Sequence, residues 1–256
     1  MTVDDTLIAA RLRAVGCVFA DEEAVLIVEA APPGDVREQL IARRIAGEPL
    51  EHLLGWAEFC GLRIPVEPGV FVPRARTAQL ALAALTVTPE RGRVLDLCCG
   101  SGAIGIVLAT RGPALDVYAS DSDPAATRCA ARSLPRVFTG DLFSALPIDC
   151  RGAFDTIVAN VPHVPEGEMA FMPYEAREHE PEATRNGGSD GLDIARRVID
   201  EAPDWLAPGG SLLLEADARQ TDALGSAFSA HGFDVRIERA EKRRLGTVVV
   251  IACLSG

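Results

Sequence analysis

The first fifty residues carry apolar side chains at intervals of three and four positions, which is the spacing of one buried face of an α-helix. A Pro-Pro-Gly run at residues 32–34 interrupts this pattern, because proline and glycine break helices. We therefore predict a small helical domain over residues 1–50. The apolar positions that predict it are Leu7, Ile8, Leu12, Val15, Val25, Leu26, Val28, Val36, Leu40, Ile41 and Ile45.

The helical pattern ends at a stretch rich in glycine and proline, residues 47–73. Two pieces within it, Leu62–Ile64 and Val70–Val72, have the apolar, β-branched character of short strands. We predict that residues 51–73 form a hairpin linker between the helical domain and the rest of the chain.

From Arg93 onward, apolar runs of strand length alternate with helical segments, which predicts a parallel sheet with helices on both faces. The last two strands are joined only by Ala240–Gly246, too short for a helical crossover, so they should pair antiparallel. The predicted α/β domain, residues 74–256, resembles the Rossmann-like sheet of class I methyltransferases. The predicted strands are Val94–Leu97, Val117–Ser120, Arg136–Thr139, Thr156–Ala159, Ser211–Glu215, Val235–Arg239 and Thr247–Ala252, and the predicted helices are Ala103–Thr110, Pro124–Arg132, Leu192–Leu206 and Arg219–His231.

Charge narrows the choice of partner. The chain has 25 Lys and Arg against 37 Asp and Glu, a net charge of −12. Proteins that grip nucleic acid usually need a basic surface. We therefore expect a protein or small-molecule substrate, with nucleic acid disfavoured.

The remaining composition indicates a cytoplasmic protein. Every apolar run is broken by charge, glycine or proline before it could span a membrane, and the acidic N-terminus lacks the basic start of a signal peptide. The seven cysteines are scattered without paired-ligand spacing, which predicts neither a disulfide framework nor a metal site. They are Cys17, Cys60, Cys98, Cys99, Cys129, Cys150 and Cys253.

A glycine-containing turn follows the first predicted strand of the sheet, in the sequence RVLDLCCGSGAIGIVLA. Gly100 and Gly102 allow the backbone to turn sharply and to approach a ligand closely. The sequence is neither a full GxGxxG motif nor a Walker loop, and Asp96 before the turn suits a cationic or hydroxyl-bearing ligand. A strand-to-helix turn without a ligand would also explain two glycines.

Two further strands end in carboxylates. Asp121 lies 21 residues beyond Gly100, where an acidic residue can accept hydrogen bonds from ribose hydroxyls. Asp141 follows the third strand and could bind an adenine amino group, with Leu142 and Phe143 packing against the ring. Together these strand ends predict an adenosine pocket. A nicotinamide dehydrogenase could share its first two parts, but no hydride-transfer site is recognisable.

The fourth strand ends at Asn160, at the edge of the sheet where α/β proteins bind ligands. A carboxamide or amine nitrogen is a poor nucleophile unless its N–H groups are held by acceptors and its lone pair faces an electrophile. The Asn160 side-chain oxygen and the Val161 carbonyl could be those acceptors, with Pro162 making the backbone rigid. Residues 160–190, before the next predicted helix, have the length of a binding loop or lid. An Asn that caps a turn before proline is the alternative.

Several motifs resemble the HemK/PrmC-like protein-(glutamine-N5) methyltransferases. They are GEPLEHLLGWAEFCGLRIPVEPGVFVPRARTAQL, VLDLCCGSGAIGI, GDLFSAL, EHEPEATRNGGSDGLDIARRVI and LAPGGSLLLEADARQ. The resemblance implies S-adenosylmethionine as cofactor, a glutamine-bearing protein as substrate, and N-terminal helices that dock it. It assigns catalysis to Asn160, Val161, Pro162 and His163, and cofactor binding to Phe71, Arg74, Asp96, Cys98, Cys99, Gly100, Ser101, Gly102, Asp121, Asp141, Leu142 and Asn160.

The chain also departs from the family pattern. Asn-Val-Pro-His at residues 160–163 replaces Asn-Pro-Pro-Tyr, and Pro-Arg-Ala-Arg-Thr at residues 73–77 replaces Pro-Arg-Pro-Glu-Thr. Cys98 and Leu142 stand where the family often has Gly and Trp. Three hypotheses follow: methylation of a protein glutamine, which we favour; methylation of a nucleobase or small-molecule amine; and a cofactor-binding regulatory protein without transfer activity.

Overall fold

The computed structural model describes residues 3–239 and 246–255. Four helices open the chain: α1 (Val3–Ala14), α2 (Ala20–Ala30), α3 (Asp35–Ile45) and the short α4 (Leu50–Leu54). They enclose an apolar cluster of their own, centred on Leu12, Ile27 and Ile41. Three side chains from the predicted apolar positions instead face solvent: Leu7, Val15 and Val36.

The linker contains one hairpin rather than two strand-like pieces. Strand β1 (Trp56–Phe59) pairs antiparallel with β2 (Leu62–Pro65). The predicted strand Val70–Val72 is wrong: this segment is buried but forms no strand. Side chains satisfy its backbone instead, because the Val70 carbonyl contacts His52 Nε2 at 2.9 Å and the Val72 N–H donates to Glu180.

A seven-stranded sheet forms the rest of the fold. Its spatial order is β5-β4-β3-β6-β7-β9-β8, parallel except for β9, which runs antiparallel to both neighbours. This confirms the predicted sheet and its antiparallel end, although residues 240–245 of the predicted connection lie outside the described residues. The strands are β3 (Arg93–Leu97), β4 (Asp116–Asp121), β5 (Val137–Thr139), β6 (Phe154–Ala159), β7 (Leu206–Asp217), β8 (Phe233–Arg239) and β9 (Thr247–Leu254).

Helices cover both faces of the sheet. Successive strand residues alternate between two apolar clusters, so that Ile157 packs on one face and Val158 on the other. The helices are α5 (Ala78–Val87), α6 (Ala103–Arg111), α7 (Pro124–Ala130), α8 (Tyr174–His179), α9 (Asp193–Glu201) and α10 (Thr221–Ala230).

Helices α5, α8 and α9 differ from the sequence prediction. Helix α5 was not predicted, since its run of alanine and leucine lacks a polar face because the helix is largely buried against the sheet. The helix predicted to reach Leu206 ends at Glu201, since a turn containing Pro203 follows and β7 already begins at Leu206. Helix α8 also lies inside the segment predicted to precede the next helix.

The topology places one crevice at the carboxyl edge of the sheet. The chain moves outward from β3 to β5 and then returns to form β6 on the other side of β3. This reversal is the topological switch point at which α/β sheets bind ligands. Cys98 follows β3 and Asn160 follows β6, so both residues lie at this crevice. Among the described residues, no helix is long and apolar enough to cross a membrane.

Candidate active site

A cavity of about 370 Å³ opens at the switch point. This is within the range of small-molecule and cofactor sites. All the site residues predicted from the sequence line it except Gly102. Gly102 begins α6 with φ of +80°, and an added Cβ would lie 3.0 Å from that of Ala130. Gly102 therefore allows a close packing of α6 against Ala130, and its predicted contact with the cofactor stays a prediction.

The turn after β3 is braced by a carboxylate. Asp121 accepts hydrogen bonds from the Gly100 N–H at 2.8 Å and from the Asp123 N–H at 2.9 Å. Gly100 and Cys98 both have positive φ, at 55° and 57°, so Cys98 holds a backbone conformation that favours glycine. Burial raises the pKa of the Asp121 carboxyl. The turns that follow β3 and β4 thus form one rigid wall of the cavity.

Asp96 lies deeper. It is 1% exposed, and its Oδ2 accepts a hydrogen bond from the Gly105 N–H at 2.7 Å. Burial raises its pKa to about 8. Burial thus favours the protonated form of Asp96, and the Gly105 N–H bond fixes the orientation of its carboxyl group. Burial also raises the pKa of the neighbouring Cys98 and Cys99 thiols, which stay un-ionised.

The end of β5 differs in one respect from the sequence prediction. Leu142 lines the cavity and Asp141 stands at its rim, where its carboxylate pairs with Arg197 at 2.6 Å. Phe143, predicted to pack on an adenine ring, is instead buried in the core and stacks on Trp205 with ring centroids 5.6 Å apart. The turn after Asp141 directs consecutive side chains to opposite sides.

Asn160 is oriented by a residue that sequence reasoning did not single out. Its Nδ2 donates to the hydroxyl of Thr77, 3.3 Å away. Thr77 is buried at the start of α5 and also lines the cavity. Because the amide nitrogen is held by Thr77, the side-chain oxygen is the atom available to a ligand. Thr77 lay within the quoted Pro-Arg-Ala-Arg-Thr segment, but the bond joins positions 83 residues apart.

The residues after Asn160 form a second contact. His163 Nδ1 lies 3.0 Å from the Val161 carbonyl oxygen. That carbonyl, predicted to hold the substrate nitrogen, therefore already has one hydrogen-bonding partner. The His163 carbonyl accepts in turn from Gln220 Nε2 at 3.1 Å. Residues 160–163 are thus tied to the end of β7 as well as to their own loop.

Two arginines of the loop before α5 also line the cavity, and each pairs with a buried carboxylate. Arg74 Nη2 lies 2.5 Å from Glu180, and Arg76 Nε lies 3.1 Å from Glu215. Arg76 stands where the family pattern has Glu, so the change reverses a charge beside Thr77. Sequence reasoning noted the lost Glu but could not place its replacement opposite Glu215, 139 residues away.

The long segment after Asn160 closes one side of the cavity. Its two ends meet, because the Gly187 N–H donates to the Val164 carbonyl at 2.9 Å. Met172 and Arg185 from this segment line the cavity. It is also tied to the N-terminal helices, since Arg44 pairs with Glu23 of α2 and with Glu175 of α8, each at 2.5 Å.

The cavity fits a nucleoside-bearing cofactor. Asp121 is held in place by backbone N–H groups and faces the cavity beside the glycine turn. The Ser120 hydroxyl next to it is buried at the cavity wall and has no hydrogen-bond partner among the described residues. An unpaired buried hydroxyl beside an anchored carboxylate is a polar surface that a ligand's hydroxyl groups would satisfy.

Comparison with known proteins gives a consistent result. The Methyltransferase small domain family matches residues 61–173. The release factor glutamine methyltransferase of Geobacter sulfurreducens is 40% identical over 200 residues, covering 76% of this chain and 69% of that protein. That of Mycolicibacterium smegmatis is 34% identical and covers 88% of this chain and 82% of its own. A 4-amino-L-phenylalanine/4-methylamino-L-phenylalanine methyltransferase of Streptomyces pristinaespiralis is 36% identical, and the match covers 75% of this chain and 69% of that protein.

Solved structures agree on the fold. A methyltransferase from Pyrococcus furiosus superposes with a TM-score of 0.58 at 18% identity, covering 87% of this chain and all of that one. The Mtq2-Trm112 complex of E. cuniculi gives 0.53 at 20% identity, with 73% and 99% covered. The sheet, the cavity at its switch point and these sequence relatives together place the chain in the release factor glutamine methyltransferase (HemK/PrmC) family of S-adenosylmethionine-dependent methyltransferases.

Proposed function

We propose that this protein methylates the side-chain amide nitrogen of a glutamine in a protein substrate, and that the substrate is a release factor. The observation that carries the proposal is the hydrogen bond from Asn160 Nδ2 to Thr77. It leaves the Asn160 oxygen at the cavity as a fixed acceptor for one N–H of a planar amide. The names of the relatives from Geobacter and Mycolicibacterium support the choice of substrate.

We assign separate roles in cofactor binding to several side chains of the cavity. Asp121 would accept hydrogen bonds from the ribose hydroxyls of S-adenosylmethionine, and Leu142 and Asp141 would contact its base. The backbone of the glycine turn would contact the rest of the cofactor. We assign Phe71 and Arg74, which line the same cavity, to this cofactor as well. When bound, the cofactor supplies a methyl group made electrophilic by a sulfonium.

Asn160 contributes orientation and charge stabilisation. Its oxygen accepts an N–H of the substrate amide, turning the nitrogen lone pair toward the electrophile. As positive charge develops on that nitrogen, the same oxygen stabilises it, so the interaction is stronger in the transition state than in the ground state. Pro162 limits rotation of the backbone that follows, which keeps the acceptor geometry fixed.

A second candidate function is methylation of a small amine that carries a carboxylate. The Streptomyces relative named for 4-amino-L-phenylalanine supports it. So does Arg76, which places a guanidinium at the cavity where the family pattern has a carboxylate. In the described part of the chain, Arg76 bonds Glu215 through Nε. Its two terminal nitrogens are therefore the atoms that could bind an anionic group.

The test uses purified protein, methyl-labelled S-adenosylmethionine, and three separate acceptors: bacterial release factors, a nuclease-treated cell lysate and 4-amino-L-phenylalanine. Label on a release factor, with one added methylene mapped to a glutamine by mass spectrometry, is the expected result. Transfer only to the free amino acid selects the second candidate. Absence of transfer to any protein contradicts the glutamine proposal.

Two variants separate catalysis from cofactor binding in the same assay. Asn160→Ala should lower transfer by about 10²-fold or more, since it removes a group that stabilises developing charge, and should leave cofactor affinity nearly intact. Asp121→Ala should instead weaken cofactor binding by about 1.5–3 kcal/mol, the worth of a hydrogen bond to a charged group. Calorimetry measures the affinities. Equal loss of both properties in both variants would contradict these roles.

A further inference from the structure

We infer that His163 is the proton acceptor of this site, with its Nε2 atom taking the proton that the substrate nitrogen loses. The inference rests on the proposed function, because it concerns an acceptor nitrogen held at Asn160. It gives His163 a chemical role that the family's tyrosine at this position does not offer, since a phenol at neutral pH is not a ready proton acceptor.

The contact with Val161 determines which ring nitrogen carries hydrogen. His163 Nδ1 lies 3.0 Å from the Val161 carbonyl oxygen. A carbonyl oxygen can only accept a hydrogen bond, so Nδ1 must be the donor. A neutral imidazole has a single N–H, and its other nitrogen is therefore an acceptor. The contact thus leaves the lone pair of Nε2 available, on a side chain that lines the cavity.

The backbone of His163 is fixed by a close packing. Its carbonyl oxygen accepts a hydrogen bond from Gln220 Nε2, which also bonds the Asp190 carbonyl at 3.0 Å. Gly191 approaches the same carbonyl so closely that an added Cβ would lie 2.4 Å from its oxygen. A ring anchored in this way can keep Nε2 in one place while a proton moves.

Charged groups of both signs surround the His163 ring. Asp217 at the end of β7 is near enough to His163 to interact with its charge, and Arg219 pairs with both Asp217 and Glu168. The carboxylate of Asp190 accepts a hydrogen bond from Arg196. The other charged or titratable side chains that line the cavity with His163 are Arg74, Arg76, Asp96, Asp121, Asp123, Asp141, Arg185 and Arg197.

Proton transfer to His163 accompanies formation of the new N–C bond. The substrate nitrogen uses its lone pair to form the new N–C bond, while the electrons of the breaking C–S bond leave with sulfur. As the N–C bond forms, the N–H bond breaks, its electrons stay on nitrogen, and the proton binds the lone pair of Nε2, so that the proton moves within the rate-determining step. The resulting imidazolium keeps its Nδ1–H on Val161 and later releases the Nε2 proton to water.

A stacking role for the ring is the competing explanation, and a phenylalanine variant separates the two. His163→Phe keeps an aromatic face but has no proton acceptor. With the labelled acceptor, kcat of the unmodified protein should fall when the solution is made acidic, because a protonated imidazole has no lone pair left to accept the substrate proton. His163→Phe should be slower by about 10²-fold at neutral pH and should lack this decline.

His163→Tyr restores the family residue and is the matched control. It should behave like His163→Phe in its pH profile if proton acceptance matters. A phenylalanine variant that retains kcat within about twofold, or that shows the same acidic decline, would overturn the inference.

A spectroscopic readout tests the tautomer without turnover. Nitrogen-15 NMR of the free protein should show His163 protonated at Nδ1 at neutral pH, and protonation at Nε2 instead would overturn the inference. If the protein methylates an amine rather than glutamine, the proposed function fails, but the pH comparison with that amine still decides the role of His163. Absence of transfer to every acceptor overturns both.

Discussion

The catalytic assignment depends at the residue scale on how one amide is oriented. Asn160 is half-buried at the cavity, and its nitrogen is bonded to the buried hydroxyl of Thr77. A free carboxamide can present either its oxygen or its nitrogen to a ligand, and only the oxygen can accept an N–H. Thr77 therefore acts as a positioning residue for Asn160.

Replacing Thr77 by valine tests this arrangement. Valine has nearly the same shape but cannot accept the Asn160 N–H, so we expect kcat to fall by up to about tenfold, the worth of one neutral hydrogen bond. KM for the cofactor should change little. Thr77→Ser keeps the hydroxyl and is the control. Equal kcat values for the valine and serine variants would show that Thr77 does not orient the amide.

Asp96 gives a second prediction at this scale, concerning pH and stability. Its pKa rises from the ordinary value of 3.8 to about 8 on folding, because the carboxyl is buried. Between these pH values the unfolded chain loses the Asp96 proton while the folded protein keeps it. Its contribution to the free energy of unfolding is therefore fully present below about pH 4 and decreases as the pH rises to about 8.

Urea denaturation at pH 5, 6, 7 and 8 checks the Asp96 prediction, with Asp96→Asn as the non-ionising reference. The difference in unfolding free energy between the original protein and the variant should shrink as the pH rises. A difference that stays constant over this range would mean that Asp96 ionises alike in both states.

At the scale of elements, the alternation of strands and helices was readable from the sequence because each strand of a buried parallel sheet is a short apolar run. The strand ends at Asp121, Asp141 and Asn160 followed from the same pattern. Helix α5 was not predicted, because burial removes the polar face by which an amphipathic helix is recognised in a sequence. Val70–Val72 has strand composition, yet its backbone partners are the side chains of His52 and Glu180, which no local pattern encodes.

The packing at the start of α6 can be tested with two glycines. Gly102→Ala forces a side chain onto a backbone with φ of +80° and places its Cβ 3.0 Å from that of Ala130. We expect a loss of about 1–3 kcal/mol in the free energy of unfolding. The control is Gly225→Ala in α10, where a Cβ meets nothing within 4 Å.

Because alanine favours the helix, Gly225→Ala should stabilise the protein by about 0.5–1 kcal/mol. Urea denaturation measures both variants. A Gly102 variant as stable as the original protein would show that the turn and α6 can shift to accept a methyl group.

On the scale of the whole molecule, the N-terminal helices have their own apolar interior and meet the rest of the chain partly through ion pairs. Arg44 makes one of these contacts: it is 9% exposed and bonds Glu23 of α2, Glu175 of α8 and the Glu48 carbonyl. The division into domains at residues 50 and 73 stays a prediction. The resemblance to the family indicated a docking role for the helices, but the contact between Arg44 and Glu175 spans 131 residues and was not readable from the sequence.

Arg44→Met should lower the free energy of unfolding by about 3 kcal/mol, since it leaves the poorly exposed Glu23 carboxylate without its partner. Hydrogen exchange should rise in both α2 and α8. Arg43→Met is the matched control: Arg43 is 52% exposed and pairs with Glu48, so its loss should cost less than about 1 kcal/mol. Faster exchange in α2 alone would show that Arg44 does not couple the two regions.

The bond between Thr77 and Asn160 also has a consequence for how new activities could arise on this scaffold. Its two residues lie outside β3, β4 and β5, whose carboxyl ends line the proposed cofactor pocket. Directed evolution restricted to residues 75–77 and 161–163 would therefore sample new methyl acceptors while leaving Arg74, Asn160 and the rest of the proposed cofactor site unchanged. Arg76 and His163, which both differ from the family pattern, are where such a search would begin.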